Sequence, residues 1–163
     1  MNGIDDIYTD LIMDHCMNSC NKHCLACATC TAMGHNPNCG DEIKLEFELD
    51  GDIIKDMSFT GHGCAISQSS TSIMIDTLRG KTIEQAKKIV EIFIKMIDRK
   101  PVTDEEKELL GDSIAFENIS NMPARVKCAL LAWHTTEDVL NSKTQNDCNS
   151  CEKNTCPNKT KSN

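Results

Sequence analysis

Residues 42–59 read Glu42-Ile43-Lys44-Leu45-Glu46-Phe47-Glu48-Leu49-Asp50-Gly51-Asp52-Ile53-Ile54-Lys55-Asp56-Met57-Ser58-Phe59. Over the first eight residues Ile43, Leu45, Phe47 and Leu49 fall on one face, and Glu42, Lys44, Glu46 and Glu48 on the other. Successive strand side chains point to opposite faces, so this alternation predicts a half-buried strand. Asp50-Gly51 is the strongest short hairpin signal, and Ile53, Lys55, Met57 and Phe59 continue at period two as the returning arm. A third short strand is expected through Gly63 to Ile66, after the bend Gly61-His62-Gly63.

Helical patterns surround this hairpin. Upstream, Ile4, Ile7, Tyr8, Leu11 and Ile12 recur at helical spacing. Downstream, a helix is expected from Ser67 through Ile73, Met74 and Leu78, with Gly80 as its stop. Thr82 to Gln85 reads as a capping box for a helix with the stripe Ile83, Ala86, Val90, Phe93 and Ile97. Thr103 to Glu106 offers a second capping box for a short acidic helix that closes near Gly111. Pro123 suits the first position of a final helix carrying Val126, Leu130, Trp133 and Leu140 on one side. Strands followed by helices give an α+β class, with a small three-stranded antiparallel sheet covered by helices. The expected domain spans residues 1–141, with a Cys-rich segment at 16–30 inserted after the first helix. Residues 142–163 read as a flexible tail, rich in Asn, Ser, Lys, Thr and Cys.

The 163-residue length suits one core. Seventeen Lys and Arg against 25 Asp and Glu leave a net charge of −8, which a phosphate backbone repels, so nucleic acid is not an expected partner. No apolar run approaches bilayer length, and the acidic N-terminus lacks a signal peptide's basic and apolar regions. A cytoplasmic location is therefore expected, where thiols stay reduced. Eleven cysteines in that compartment point to metal, sulfur or redox chemistry.

Three of them are far apart in sequence. Cys39 lies in Asn36-Pro37-Asn38-Cys39-Gly40-Asp41, a tight loop before the first strand. Cys64 lies in Gly61-His62-Gly63-Cys64-Ala65-Ile66-Ser67 just before a helix, and Cys128 in Pro123-Ala124-Arg125-Val126-Lys127-Cys128 near the start of another. A helix N-terminus favours thiolate, and Arg125 and Lys127 add positive charge beside Cys128. Three cysteines and Asp41 suit a closed zinc site or an open iron–sulfur platform. Scattered cysteines also serve as small buried hydrophobes, but here each is framed by Gly, Pro or a charge.

These three motifs, with Ala129-Leu130-Leu131-Ala132-Trp133 after the last and Tyr8-Thr9-Asp10-Leu11-Ile12-Met13-Asp14-His15 near the start, resemble the signatures of the IscU/SufU/NifU-N iron–sulfur cluster assembly family. The resemblance covers residues 4 to 141 and implies that family's fold. Lys127 occupies the position where IscU-type scaffolds carry a further His ligand. Met122-Pro123-Ala124-Arg125 does not match their chaperone-recognition stretch, and the acidic insertion from Asp98 to Asp112 is SufU-like. The resemblance is therefore to the SufU branch.

That branch implies Zn²⁺ held by Cys39, Asp41, Cys64 and Cys128, and a sulfurtransferase-like acceptor rather than a stand-alone enzyme. Its implied partner is a pyridoxal-phosphate-dependent cysteine desulfurase of SufS type, whose persulfide sulfur Cys39 receives. Downstream assembly proteins or apoproteins take the product, and Arg125 is expected to tune the thiolates or meet the partner. The alternative is a scaffold on which a transient iron–sulfur cluster is built and handed on.

Eight further cysteines lie outside this set. Cys16 and Cys20 precede Cys24-Leu25-Ala26-Cys27-Ala28-Thr29-Cys30, whose C-x₂-C-x₂-C spacing is that of bacterial ferredoxins. Cys148-Asn149-Ser150-Cys151 and Cys156-Pro157 lie in the tail. An accessory zinc or iron–sulfur site drawing on Cys20, Cys24, Cys27, Cys30, Cys148, Cys151 and Cys156 is one expectation; free thiols on flexible chain are the other.

Overall fold

The structure is a computed structural model, and it describes residues 3–37 and 39–143. Its elements run α1 (Gly3–Met17), β1 (Cys30–Asn36), β2 (Asp41–Asp50), β3 (Ile53–His62), α2 (Ala65–Leu78), α3 (Ile83–Ile97), α4 (Asp104–Leu110), a 3₁₀ helix (Gly111–Asn121) and α5 (Pro123–Lys143). The sheet is antiparallel in the order β1-β2-β3. Ile43, Leu45 and Phe47 of β2 and Met57 and Phe59 of β3 are buried in one core with residues of α2, α3 and α5.

Two details of the sheet differ from expectation. The third strand is β1, on the far side of β2, whereas Gly63 to Ile66 leads into α2. β1 lacks a β-rich composition; its ladder with β2 and the helix α5 hold it in place. A Cβ on Gly34 would lie 2.5 Å from Thr135 Oγ1, so any larger residue there would force the Thr135 side chain of α5 to shift. The register also shifts between Glu48 and Leu49. That bulge resets the returning arm: Ile54 is fully buried, while Ile53 is 45% exposed and Lys55 is turned outward.

The helices follow their local signals. Both capping boxes form, at Thr82 with Gln85 and at Thr103 with Glu106, and the predicted stripe of α3 is buried throughout. Phe93 of α3 stacks on Trp133 of α5 with centroids 3.8 Å apart. The Ser- and Thr-rich α2 is central and almost wholly buried. Burial is tolerated because its hydroxyls, Ser67 excepted, find partners: Ser70 Oγ donates to the Ala129 carbonyl, and Thr71 and Thr77 bond back to carbonyls four residues earlier.

Between α1 and β1 the chain forms a strap. The Asn21 carbonyl accepts the Phe59 amide at the free edge of β3, and the Asn21 side chain donates to the Ser72 carbonyl and to Asp76. Arg79 donates to Asn21 Oδ1 at 2.6 Å. The strap then crosses the face opposite the helices, where the Leu25 amide donates to Glu46, and joins the sheet where the Thr29 amide meets the Phe47 carbonyl. Glu46 and its cross-strand partner Ser58 are consequently buried. No described helix is long and apolar enough to cross a membrane.

Candidate metal centre

The β1–β2 turn, the β3–α2 junction and the first turns of α5 converge at one end of the sheet. Cys39 follows β1 in a turn in which its amide donates to the Asn36 carbonyl, and the next residue, Gly40, takes a φ of 69°. Asp41 opens β2 and is fully buried. Cys64 is the N-cap of α2, with its sulfur accepting the Ser67 amide at 3.5 Å. Cys128 lies in the second turn of α5 and is 1% exposed.

Cys39 Sγ, an Asp41 carboxylate oxygen and Cys128 Sγ lie within 4.8 Å of one another. Cys128 donates to Cys39 across 3.2 Å, and Asp41 Oδ1 accepts the Cys64 amide at 2.8 Å. The Cys64 sulfur stands beside this group, close enough to Cys128 to affect its ionisation. Two glycines allow the approach. A Cβ at Gly63 would lie 2.7 Å from Asp41 Oδ1, and Gly61, with φ of 119°, lies against the Glu42 backbone carbonyl.

The electrostatics of the cluster are unbalanced as it stands. Burial pushes the Cys128 thiol far above its ordinary value, reinforced by hydrogen bonds with Cys39, Asp41 and Cys64 and by the charge of Cys64. Asp41 Oδ2 and Ser67 Oγ are buried and have no hydrogen-bond partner among the described residues. A buried carboxylate oxygen without a donor is costly unless a cation meets it. Arg125, exposed at the rim, has its pKa raised by the charge of Cys64 first, then by a hydrogen bond and charge from Cys128, and by Cys39.

Sequence reasoning overlooked two neighbours of the group. Asn36 donates to Cys128 Sγ at 3.9 Å, and Ser67 supplies the amide that bonds Cys64. Both lie within the quoted motifs, and the signal was a polar residue at an inward strand position and an N3 position behind a cysteine N-cap. His62 ends β3 opposite Glu42, outside the thiol group. His15 Nδ1 bonds Ser72 Oγ at 2.7 Å, joining α1 to α2.

The accessory cysteines are arranged otherwise. Cys20, Cys24 and Cys27 are exposed on the strap, Cys16 is half-buried, and Cys30 faces the same side as Phe47 and packs against the core. Among the described residues these thiols do not gather three ligand atoms within 4.8 Å. Cys148, Cys151 and Cys156 lie outside the described residues.

Comparison with known proteins places this geometry in context. The family model described as the NifU-like N-terminal domain matches residues 7–129. The chain is 42% identical over 135 residues to the zinc-dependent sulfurtransferase SufU of Bacillus subtilis strain 168, covering 83% of this chain and 90% of that one. It is 37% identical over 134 residues to the iron–sulfur cluster assembly scaffold protein IscU of Thermotoga maritima, covering 82% and 92%. Among solved structures, FiSufU of Fervidobacterium islandicum AW-1, described as a cluster assembly scaffold for the SUF system, superposes with a TM-score of 0.77 at 40% identity. That match covers 83% of this chain and 97% of that one.

Proposed function

The chain belongs to the NifU-like N-terminal domain family, and from that premise we propose that it serves iron–sulfur cluster assembly as a zinc-dependent sulfur acceptor. It takes persulfide sulfur from a pyridoxal-phosphate-dependent cysteine desulfurase in the cytoplasm and passes it on to assembly proteins or apoproteins. The observation that carries this reading is the approach of Cys39, Asp41 and Cys128 within 4.8 Å, with Asp41 Oδ2 buried and unpaired.

The residues fit zinc. Three sulfurs and one carboxylate are a tetrahedral donor set of the kind that ion takes, and Cys64 completes the group as the fourth ligand. Bound there, zinc would keep its thiols ionised near neutral pH. Cys39 is the ligand suited to leave, because it is exposed in a turn while Cys64 and Cys128 are fixed to helices. Its thiolate attacks the terminal sulfur of the desulfurase persulfide; a new S–S bond forms on Cys39, the old one breaks, and the desulfurase cysteine departs as thiolate. Arg125, already responsive to all three sulfurs, faces the charge that moves in this exchange.

A scaffold role is the second reading, favoured by the exposure of Cys39, which leaves the group open on one side, and by the likeness to the Thermotoga protein. The deciding experiment measures desulfurase turnover with wild-type and Cys39→Ala protein alongside metal and acid-labile sulfide content. One zinc per chain and loss of stimulation in the variant support the acceptor. Full stimulation by Cys39→Ala overturns it, and iron with sulfide at the three cysteines establishes the scaffold instead.

A further inference from the structure

A second set of ligating side chains lies on the opposite face of the same strand ends. His35 of β1 pairs with Glu42 of β2, and Glu42 pairs in turn with His62 of β3. We propose that His35, Glu42 and His62 form a solvent-open site for a first-row divalent transition-metal ion such as Zn²⁺ or Fe²⁺, held by two imidazoles and a carboxylate. None of these donors belongs to the thiol group, so the inference stands apart from the function proposed above.

Register fixes the alignment. The shift between Glu48 and Leu49 lies at the other end of the hairpin, so the three residues are straightforward cross-strand partners. Their neighbours Ile43 and Asp41 are 1% and 0% exposed on the helix-covered side, which sends His35, Glu42 and His62 to the other face. The strap buries that face further along, at Glu46 and Ser58, but stops short of this row, and all three residues are exposed.

The spacing suits one ion. Antiparallel partners have Cα atoms about 4.5 and 5.5 Å apart in alternation, which sets His35 and His62 about 10 Å apart across Glu42. Two imidazoles leaning inward close that gap with metal–nitrogen bonds of about 2.0–2.1 Å, while the carboxylate rises between them. As they stand, the ligand atoms of His35, Glu42 and His62 are not gathered within 4.8 Å of one another, so binding an ion requires their side chains to turn inward. None of the three has a hydrogen bond or ion pair among the described residues that would oppose this. Lys44, the nearest cation along Glu42's own face, is drawn to Glu46 at 3.3 Å, leaving the Glu42 carboxylate for another partner.

The chemistry also separates the two sites. Imidazole and carboxylate form a borderline-to-hard set with open coordination positions, unlike the three soft sulfurs on the other face. Glu42 adjoins Asp41, His62 precedes Cys64 by two residues, and His35 adjoins Asn36, whose amide bonds Cys128. An ion on this row is therefore held through the same strand ends as the thiol group.

The test uses the full chain, loaded with one zinc per chain, in a Cys20→Ser/Cys24→Ser/Cys27→Ser background that removes competing strap thiols. Zinc chloride is titrated while histidine ring resonances are followed by NMR, with the amide spectrum as the check on fold. The rings of His35 and His62 are expected to respond together with one midpoint, ahead of His23 and His134. His62→Ala should abolish the His35 response, and Glu42→Gln should raise the midpoint at least about tenfold, since even loss of an outer-shell partner of a metal ligand costs that much. Different midpoints for the two rings, an unaltered His35 response in His62→Ala, or no response at either ring would overturn the proposal.

Discussion

The sulfurs of Cys39 and Cys128 stand 3.2 Å apart although 89 residues separate them in the chain. Their surroundings are opposite. Cys39 is exposed in a turn, whereas Cys128 is 1% exposed in a helix, and burial raises its thiol pKa. The pair thus joins a solvent-exposed sulfur to a buried one.

That asymmetry predicts different consequences of removing each. Cys39→Ala should leave the unfolding midpoint of the apoprotein within about 0.5 kcal/mol of wild type, as exposed changes do, yet abolish persulfide uptake. Cys128→Ala empties a packed position and should cost roughly 1–3 kcal/mol. Urea melts together with mass spectrometry of the sulfur-loaded chain check both; equal stability losses would contradict the assignment of a mobile and a fixed sulfur.

Asp41 has two functions that substitution can separate. Its Oδ1 accepts the Cys64 amide, while Oδ2 is buried without a donor. Asp41→Ala leaves that part-buried amide without its acceptor and should destabilise the apoprotein by about 1–2 kcal/mol. Asp41→Asn retains the acceptor but not the negative charge, so its stability should stay near wild type while zinc competition against a chelator shows weaker binding. An Asn variant with undiminished zinc affinity would remove Asp41 from the ligand set.

The legible parts of the fold were those with local causes. The alternation of Ile43, Leu45 and Phe47 and the capping boxes at Thr82 and Thr103 are decided within a few residues, and each formed as expected. β1 was not legible, because Cys30 to Asn36 is a strand only through its ladder and the close approach of α5 at Gly34. The bulge that reverses Ile53 and Ile54 is likewise a property of two strands together. For the site, the Gly- and Pro-framed motifs marked Cys39, Asp41, Cys64 and Cys128, but spacing alone carried no information about their meeting. The strap's polar anchors were invisible because Asn21 acquires its meaning from Ser72, Asp76 and Arg79, all more than fifty residues away.

Asn21 should therefore control the strap out of proportion to its size. It is 1% exposed, and its side chain links the strap to α2 through Ser72 and Asp76 while accepting from Arg79. Asn21→Ala leaves those groups short of a partner and should cost about 1–3 kcal/mol. Hydrogen exchange localises the effect: the amides of Leu25 and Phe59, bonded to Glu46 and Asn21, should lose protection before the β1–β2 ladder does. Uniform loss over the sheet would mean that the strap is no separate unit.

Acid sensitivity follows from Asp56. Burial raises its carboxyl pKa, but the Arg79 hydrogen bond, the Met57 amide, and the charges of Arg79 and His23 outweigh that and hold it below the ordinary value. A depressed folded pKa gives stability that is fully present above the unfolded value of about 3.9 and is lost as pH falls through the folded value. The Asp56→Asn variant lacks this contribution, so its stability gap from wild type should shrink as pH drops below about 4. Both partners are more than a third exposed, at 36% for Arg79 and 37% for Asp56. Screening should therefore keep the gap under about 1 kcal/mol and narrow it in high salt. A gap that widens towards low pH would reverse the sign of the argument.

Gly61 tests whether backbone geometry, without any change of ligand, governs the centre. Its φ is 119°, and a Cβ there would run into the Glu42 backbone carbonyl, which belongs to the adjacent strand and has no side-chain freedom to yield. Three residues later the Cys64 amide must reach Asp41, so displacement of this strand end pulls that hydrogen bond apart. Gly61→Ala should cost roughly 1–3 kcal/mol and weaken zinc binding, although no sulfur or carboxylate has been altered. Gly51→Ala is the matched comparison: its φ of 59° is also left-handed, but nothing lies within 4 Å of the added methyl group and it is remote from the thiols. That variant should lose about 1 kcal/mol of stability and keep its zinc affinity. If the two alanine variants bind zinc equally well, the close approach of β3 to β2 at Gly61 does not position the Cys64 loop, and the placement of Cys64 must come from the cap of α2 alone.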